Sequence, residues 1–269
     1  MELLQSVEKG VRIYDLAVSW ENGMAASPSN VPFSMALTWR HGDRQMGGTK
    51  GCSASNSLVV TGDHVGTHID ALCHVGNNGT LHGDIEITDA CHGGRFQFHG
   101  VETIEPMVCR GVLLDIPALK GVSRLEPGYG ITDKDLQACL GNTPLNKGDV
   151  ALIRTGWIQQ YADTAAYLGT ETGVPGVAAS GGQWLADHGV RAAGADTIAF
   201  DQVQLGPDFR KRPCHGILLW QHGIHIIEVM DLEELASAKI REFLFFLSPL
   251  KWKGATASPV RPLAVVSPK

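Results

Sequence analysis

The chain has no surplus of positive charge: 22 lysines and arginines stand against 28 aspartates and glutamates, a formal charge of −6. That argues against nucleic acid or an anionic membrane as a partner. There is no long hydrophobic run, and the most apolar stretch, around Phe243 to Leu247, is far too short to cross a bilayer. The first ten residues, MELLQSVEKG, hold no sustained apolar segment, so no secretory signal is expected there. The six cysteines (Cys52, Cys73, Cys91, Cys109, Cys139 and Cys214) are scattered and form no C-x-x-C pair. They read as free thiols in a reducing cytoplasm, each expected as a small buried hydrophobe. No G-x-S-x-G nucleophile elbow, G-x-G-x-x-G fingerprint or P-loop occurs. A nucleophilic-serine hydrolase is therefore disfavoured, and neither a nicotinamide cofactor nor ATP is implied.

What is present is a folding composition, with 43% hydrophobic and 19% charged residues. A chain of 269 residues can bury about three quarters of its unfolded surface. Glycine, at 32 residues, is the excess, and it favours many turns over a long-helix bundle. Residues 11–19, 56–61, 111–116, 149–154, 191–200, 223–229, 242–247 and 259–266 read as strands. Residues 24–34 read as a loop. Thr132 followed by DKDLQACL reads as an N-capped helix, 178–188 turns helical towards Gly189, and DLEEL opens another helix. Many short strands with few helices between them predict one mixed α/β (α+β) domain over residues 1–269.

Histidine is the informative residue. Six of eleven fall between His64 and His99. The centre of this group, GDHVGTHIDALCHVG, holds His64, His68, Asp70 and His74. An extended 64–70 segment would put residues 64, 68 and 70 on one face. Gly66 would leave room between the two imidazoles. A helix would turn Asp70 about 120° away and set Gly66 mid-helix at a cost of about 1 kcal/mol. The extended reading is preferred, with a possible helical turn after Asp70. Two imidazoles and a carboxylate on one face suit Zn²⁺ or Mn²⁺, and three protein ligands leave a position open for water.

The run His64-x-Gly66-Thr67-His68-x-Asp70-x-x-x-His74 resembles the signature of the cyclase family of metal-dependent hydrolases, which includes bacterial kynurenine formamidase and isatin hydrolase. IYDLAVSWENGMAASP, GDVALIRTGW, GADTIAFD, GIHIIEVMDLEEL and FLSPLKWKGATASPVRPLAVV resemble other family segments, so the likeness runs along most of the chain. Leu72 departs from the pattern, since many members have proline there. The resemblance implies a swivelling β/β/α fold and a homodimer or higher homo-oligomer. It also implies metal ligation by His64, His68 and Asp70, with His74 as general acid/base. Formamidase-like members hold a second ion, which would engage His215 and Glu228 here, whereas isatin-hydrolase-like members use one manganese. Asp201 matches an acidic position that would orient a ligand histidine from behind.

The reaction this implies is hydrolysis of an amide, cyclic amide or lactone bond in a small aromatic or cyclic substrate. Water, with a pKa near 15.7, is badly matched to a histidine base near 6.5. A divalent ion can bring it to about 7, worth on the order of 11–12 kcal/mol. Trp20, Phe33, Trp39, Trp184 and Trp220 are candidates to line a pocket for a flat substrate, although each taken singly reads first as a core residue. His82, His92 and His99 have no evident partner, and His41, His188, His222 and His225 read as structural or exposed. Two other readings use the same residues. One is a non-haem Fe(II) oxygenase with a 2-His-1-carboxylate site; the other is a non-catalytic metal or ligand binder.

Overall fold

The structure is a computed structural model and describes residues 5, 7–43, 51–206 and 211–267. Part of the N-terminal MELLQSVEKG stretch therefore lies outside the described residues. Leaving aside two-residue ladders, the strands in chain order are β1 (Arg12–Asp15), β2 (Ser34–Trp39), β3 (Asn56–Val60), β4 (His68–Asp70), β5 (Met107–Asp115), β6 (Val150–Arg154), β7 (Ala192–Ala195), β8 (His225–Glu228), β9 (Glu242–Leu247), β10 (Ala257–Pro259) and β11 (Leu263–Val266). Nine of them form one mixed sheet in the order β1-β11-β9-β5-β6-β7-β8-β4-β10. The central run β5-β6-β7-β8 is parallel, and the strands outside it pair antiparallel. Strands β2 and β3 form a separate antiparallel hairpin.

The central strands carry apolar runs, over residues 111–114 of β5 and 150–153 of β6, where both sheet faces are covered. On β5 and β6, Leu113 and Leu152 point to one face and join Phe243 and Phe245. Their neighbours Val112, Leu114, Ala151 and Ile153 point to the other face. There they meet helices α1 (Asp133–Leu140) and α2 (Ala179–Asp187) through Leu136, Leu140 and Leu185. Thr132 closes a capping box on α1 with Asp135, so side chains satisfy two otherwise orphaned donors. The acidic start at DLEEL becomes α3 (Glu233–Ser237). The result is a mixed α/β fold. No helix among the described residues is long and apolar enough to cross a membrane.

Four local expectations need correction. Residues 64–67 are not extended: they form a turn, with strand geometry only from His68 to Asp70. Gly66 makes that turn at φ +59, where a Cβ would lie 2.6 Å from the Trp20 indole, so both conformation and space require glycine. Strand β7 stops at Ala195 rather than continuing to residue 200. The stretch read as one strand over 259–266 contributes to two, β10 and β11, on opposite sides of the sheet. All six cysteines are free, yet Cys52 and Cys91 are exposed, so only Cys73, Cys139 and Cys214 are fully buried small hydrophobes.

Candidate functional site

The site is built where β8 ends and β4 begins. These strands pair antiparallel with Glu228 opposite His68. Directly opposed residues share a sheet face, and His68 Nε2 lies 3.4 Å from Glu228 Oε2. Asp70 is two residues along β4 and therefore on that same face, with its Oδ1 3.5 Å from His68 Nε2. A helical turn at Pro213–His215 brings His215 in from the side. Its Nε2 stands 3.6 Å from Asp70 Oδ2 and 3.4 Å from Glu228 Oε1. His64, from the turn before β4, reaches Asp70 Oδ1 with Nδ1 at 2.9 Å. A 3-10 turn over Leu72–His74 then swings His74 over His64, with ring centroids 4.1 Å apart. All six side chains singled out in the sequence for the centre thus meet around Asp70.

Their surroundings are dry. His68, Asp70, His215 and Glu228 are buried, His64 is half-buried, and His74 opens to the cleft. His68 Nε2, both Asp70 carboxylate oxygens and Glu228 Oε1 are buried without a hydrogen-bond partner. An orphaned buried polar atom costs about 1–3 kcal/mol, more when charged, so four converging on one point need an occupant. Ligand atoms about 2.1 Å from an ion in a tetrahedral array lie about 3.4 Å from one another. The observed 3.4–3.6 Å spacings are of that size, although each carboxylate turns one oxygen to His68 and the other to His215. Among the described residues, two groups have donor atoms close enough together to hold a cation: Asp70 with His215 and Glu228, and His64 with Asp70 and His74. These residues fit a divalent ion, and their imidazole and carboxylate donors suit Zn²⁺ or Mn²⁺.

The electrostatics agree. Burial alone would lower the His68 imidazole, but Glu228 and Asp70 outweigh it and push its pKa up to about 9. Burial is likewise overcome at His215, where Asp201 and Glu228 raise the pKa to about 9. Burial would raise the Asp70 carboxyl, yet the ring of imidazoles holds it far below the usual carboxylate range. Without a metal, protons are the cations these carboxylates attract. His74 differs: desolvation, together with the imidazoles of His64 and His215, draws it down to about 4.

The supporting contacts fix the imidazole faces. His215 Nδ1 donates to Asp201 Oδ2 at 2.6 Å, leaving Nε2 for the cluster. Asp201 Oδ1 also accepts from Cys214 N at 2.6 Å. His68 Nδ1 donates to the Gly66 carbonyl at 2.8 Å. Sequence reasoning missed several supports. His225, read as structural or exposed, donates from Nδ1 to the Asp70 carbonyl at 2.9 Å. Asn30 donates to the His64 carbonyl at 3.0 Å. Thr67 Oγ1 donates to the Val229 carbonyl at 2.6 Å and accepts from Val18 N at 2.9 Å. Val229, next to Glu228, sits at φ +56, an uncommon conformation for a β-branched residue.

A cleft of about 400 Å³ opens over the cluster, edged by Ser27, Ser29, Asn30, Ile198 and Arg212. None of the five candidate aromatics lines it. Trp20 lies under Gly66 and packs edge-on against Phe33. Trp39 is exposed on the β2–β3 hairpin. Trp184 stacks on His188, and Trp220 donates to Thr80. His82 and His99 bond to the Trp220 and His82 carbonyls, away from the cluster.

Comparisons with known proteins point to one family. The cyclase family model, described as "Putative cyclase", matches residues 14–202. A kynurenine formamidase of Bacillus thuringiensis subsp. konkukian is 26% identical over 257 residues, 94% of this chain and 96% of that one. The crystal structure of a novel cyclase superposes with a TM-score of 0.84 at 25% identity, covering 97% of this chain and 91% of the other. Isatin hydrolase A of Ralstonia solanacearum superposes with a TM-score of 0.75 at 26% identity, covering 98% and 96%.

Proposed function

The chain belongs to the cyclase family, and from that premise we propose that it is a metal-dependent hydrolase of amide C–N bonds in small aromatic substrates, cyclic amides included. The observation that carries the reading is the convergence of buried, unpartnered His68 Nε2, Asp70 Oδ1, Asp70 Oδ2 and Glu228 Oε1. His64, His68 and Asp70 would hold a divalent ion, zinc or manganese, with His215 and Glu228 across the shared Asp70. Bound there, the ion supplies Lewis acidity, making water acidic near neutral pH and offsetting charge on a carbonyl oxygen.

The chain's own residues do the rest. The cleft of about 400 Å³ suits a substrate of one or two rings. Burial of His68, Asp70, His215 and Glu228 keeps bulk water from competing for their donor atoms. His74 lies at the mouth, 5.9 Å from the His215 ring and stacked on His64. There it can take a proton and pass it to the leaving nitrogen. Asp201 holds the His215 ring with Nε2 forward. Related formamidases and isatin hydrolases carry names for amide-opening reactions of this class. We place the enzyme in the cytoplasm, in keeping with six free thiols, as one domain spanning residues 1–269 and as a homodimer or larger homo-oligomer.

Elemental analysis of the purified protein, paired with a hydrolysis screen of N-formyl arylamines, isatin-like lactams and lactones, tests the reading. Stoichiometric zinc or manganese with chelator-sensitive turnover supports it. A metal-free protein inactive on all three classes after metal addition defeats it. Asp70, His215 and Glu228 also offer themselves to a second ion, and the number of ions per chain decides between one and two.

A further inference from the structure

Among the imidazoles of His64, His68 and His215, His64 is the one whose far nitrogen has no direct hydrogen bond to a carbonyl or carboxylate. Its Nε2 lies 3.0 Å from Thr256 Oγ1. The Thr256 hydroxyl donates to Asp63 Oδ2 at 2.9 Å. A carboxylate only accepts, so the single hydroxyl proton is committed to Asp63. The hydroxyl can then only accept from the histidine, which puts the ring proton on His64 Nε2. Nδ1 is left with a lone pair facing Asp70 Oδ1 at 2.9 Å. Two electron-rich atoms hold such a spacing when a cation lies beside them.

The hydroxyl is rigidly set. Asp63 Oδ2 also accepts from Thr256 N at 3.2 Å and Ala257 N at 3.1 Å. The Thr256 carbonyl accepts from Ala71 N at 2.9 Å, and β10 pairs Ala257 with Asp70. The Asp63 carboxylate is also close to His64 itself, with Oδ1 4.0 Å from Nε2. His215 and His68 are fixed directly, by Asp201 and the Gly66 carbonyl. For His64 the carboxylate acts through one interposed hydroxyl.

From this geometry we propose that Asp63 and Thr256 are positioning residues that hold His64 in its Nε2–H tautomer and so present Nδ1 as the metal-binding atom. The proposal rests on the metal-centre reading above. It also explains how a histidine in a turn, off the strand that carries His68 and Asp70, keeps one orientation. Contacts of this kind behind a ligand histidine are worth about 10–100-fold in metal affinity.

The test has two arms. Nitrogen-15 spectra of the His64 ring in metal-free protein at pH 9.5, assigned with His64→Gln, should show the proton on Nε2. A proton on Nδ1 overturns the proposal. Zinc affinity, measured by competition with a chromophoric chelator, should fall about 10–100-fold in Thr256→Val and return to within about threefold of wild type in Thr256→Ser. The valine variant keeps both backbone bonds to Asp63, so the loop remains anchored. Affinity unchanged within twofold in Thr256→Val overturns the proposal. If wild-type protein binds no zinc or manganese, the metal-centre reading falls, and the ring spectrum still decides the tautomer.

Discussion

Asp201 accepts the Nδ1 proton of His215 at 2.6 Å in a pocket where Asp201 has no exposed surface. A bond this short to a buried carboxylate fixes both the tautomer and the angle of the ring, and aims Nε2 at Asp70 and Glu228. The same carboxylate holds the Cys214 amide, so ring and backbone are clamped together. Asp201→Asn should therefore lower metal affinity about 10–100-fold with little change in secondary structure. Chelator competition measures it, and affinity within twofold of wild type would show that the clamp is dispensable.

His74 and Asp70 separate proton transfer from metal holding. His74 opens to the cleft, whereas Asp70 is fully buried and faces both candidate groups. His74→Ala should retain bound metal and lose about 10²–10⁴-fold in turnover. Asp70→Ala should lose both. Metal content and kcat measured on the same preparations check this, and a fully active His74→Ala would remove the assigned role.

The legible part of this protein lay where chemistry and local geometry coincide. The Thr132 capping box and the apolar runs of β5 and β6 fold as their patterns imply. His68 and Asp70 share a face because strand parity is a local property. His64 came to the same centre by a different route, a turn at Gly66, which parity could not foresee. Asp63, Thr256, Asn30 and His225 were invisible because their importance lies in partners distant in the chain, such as Thr256 193 residues after Asp63. The aromatic residues Trp20, Phe33 and Trp184 follow their core reading, since their bulk packs the turn and a helix rather than the cleft.

The proton-binding behaviour of the metal-free centre has a definite sign. His68 and His215 are raised from 6.5 to about 9 by the carboxylates around them. A histidine raised on folding contributes stability that is fully present below its unfolded pKa and lost as pH rises through the folded one. The chelator-treated protein should thus melt at progressively lower temperature between pH 6.5 and 9.5. Metal binding replaces those protons, so the loaded protein should show a flatter profile and should release protons on loading near pH 7.5. Thermal melts with and without chelator, together with proton release measured in a pH-stat, check both. A metal-free protein that gains stability across that window would contradict the assignment.

Thr67 ties the motif to the strand that carries Glu228. Its hydroxyl is fully buried, donates to the Val229 carbonyl and accepts from Val18 N. Thr67→Val keeps the volume and removes both bonds, leaving a buried carbonyl and a buried amide unsatisfied, at about 1–3 kcal/mol each. Val229, in its left-handed conformation, also loses a tether beside Glu228. The variant should therefore be less stable by about 2–4 kcal/mol in urea unfolding. It should also bind metal more weakly, because Glu228 is no longer held at its His68 register. Thr67→Ser, which keeps the hydroxyl, should recover most of both. Equal stability of the valine and serine variants would mean that packing, not the hydroxyl, holds this junction.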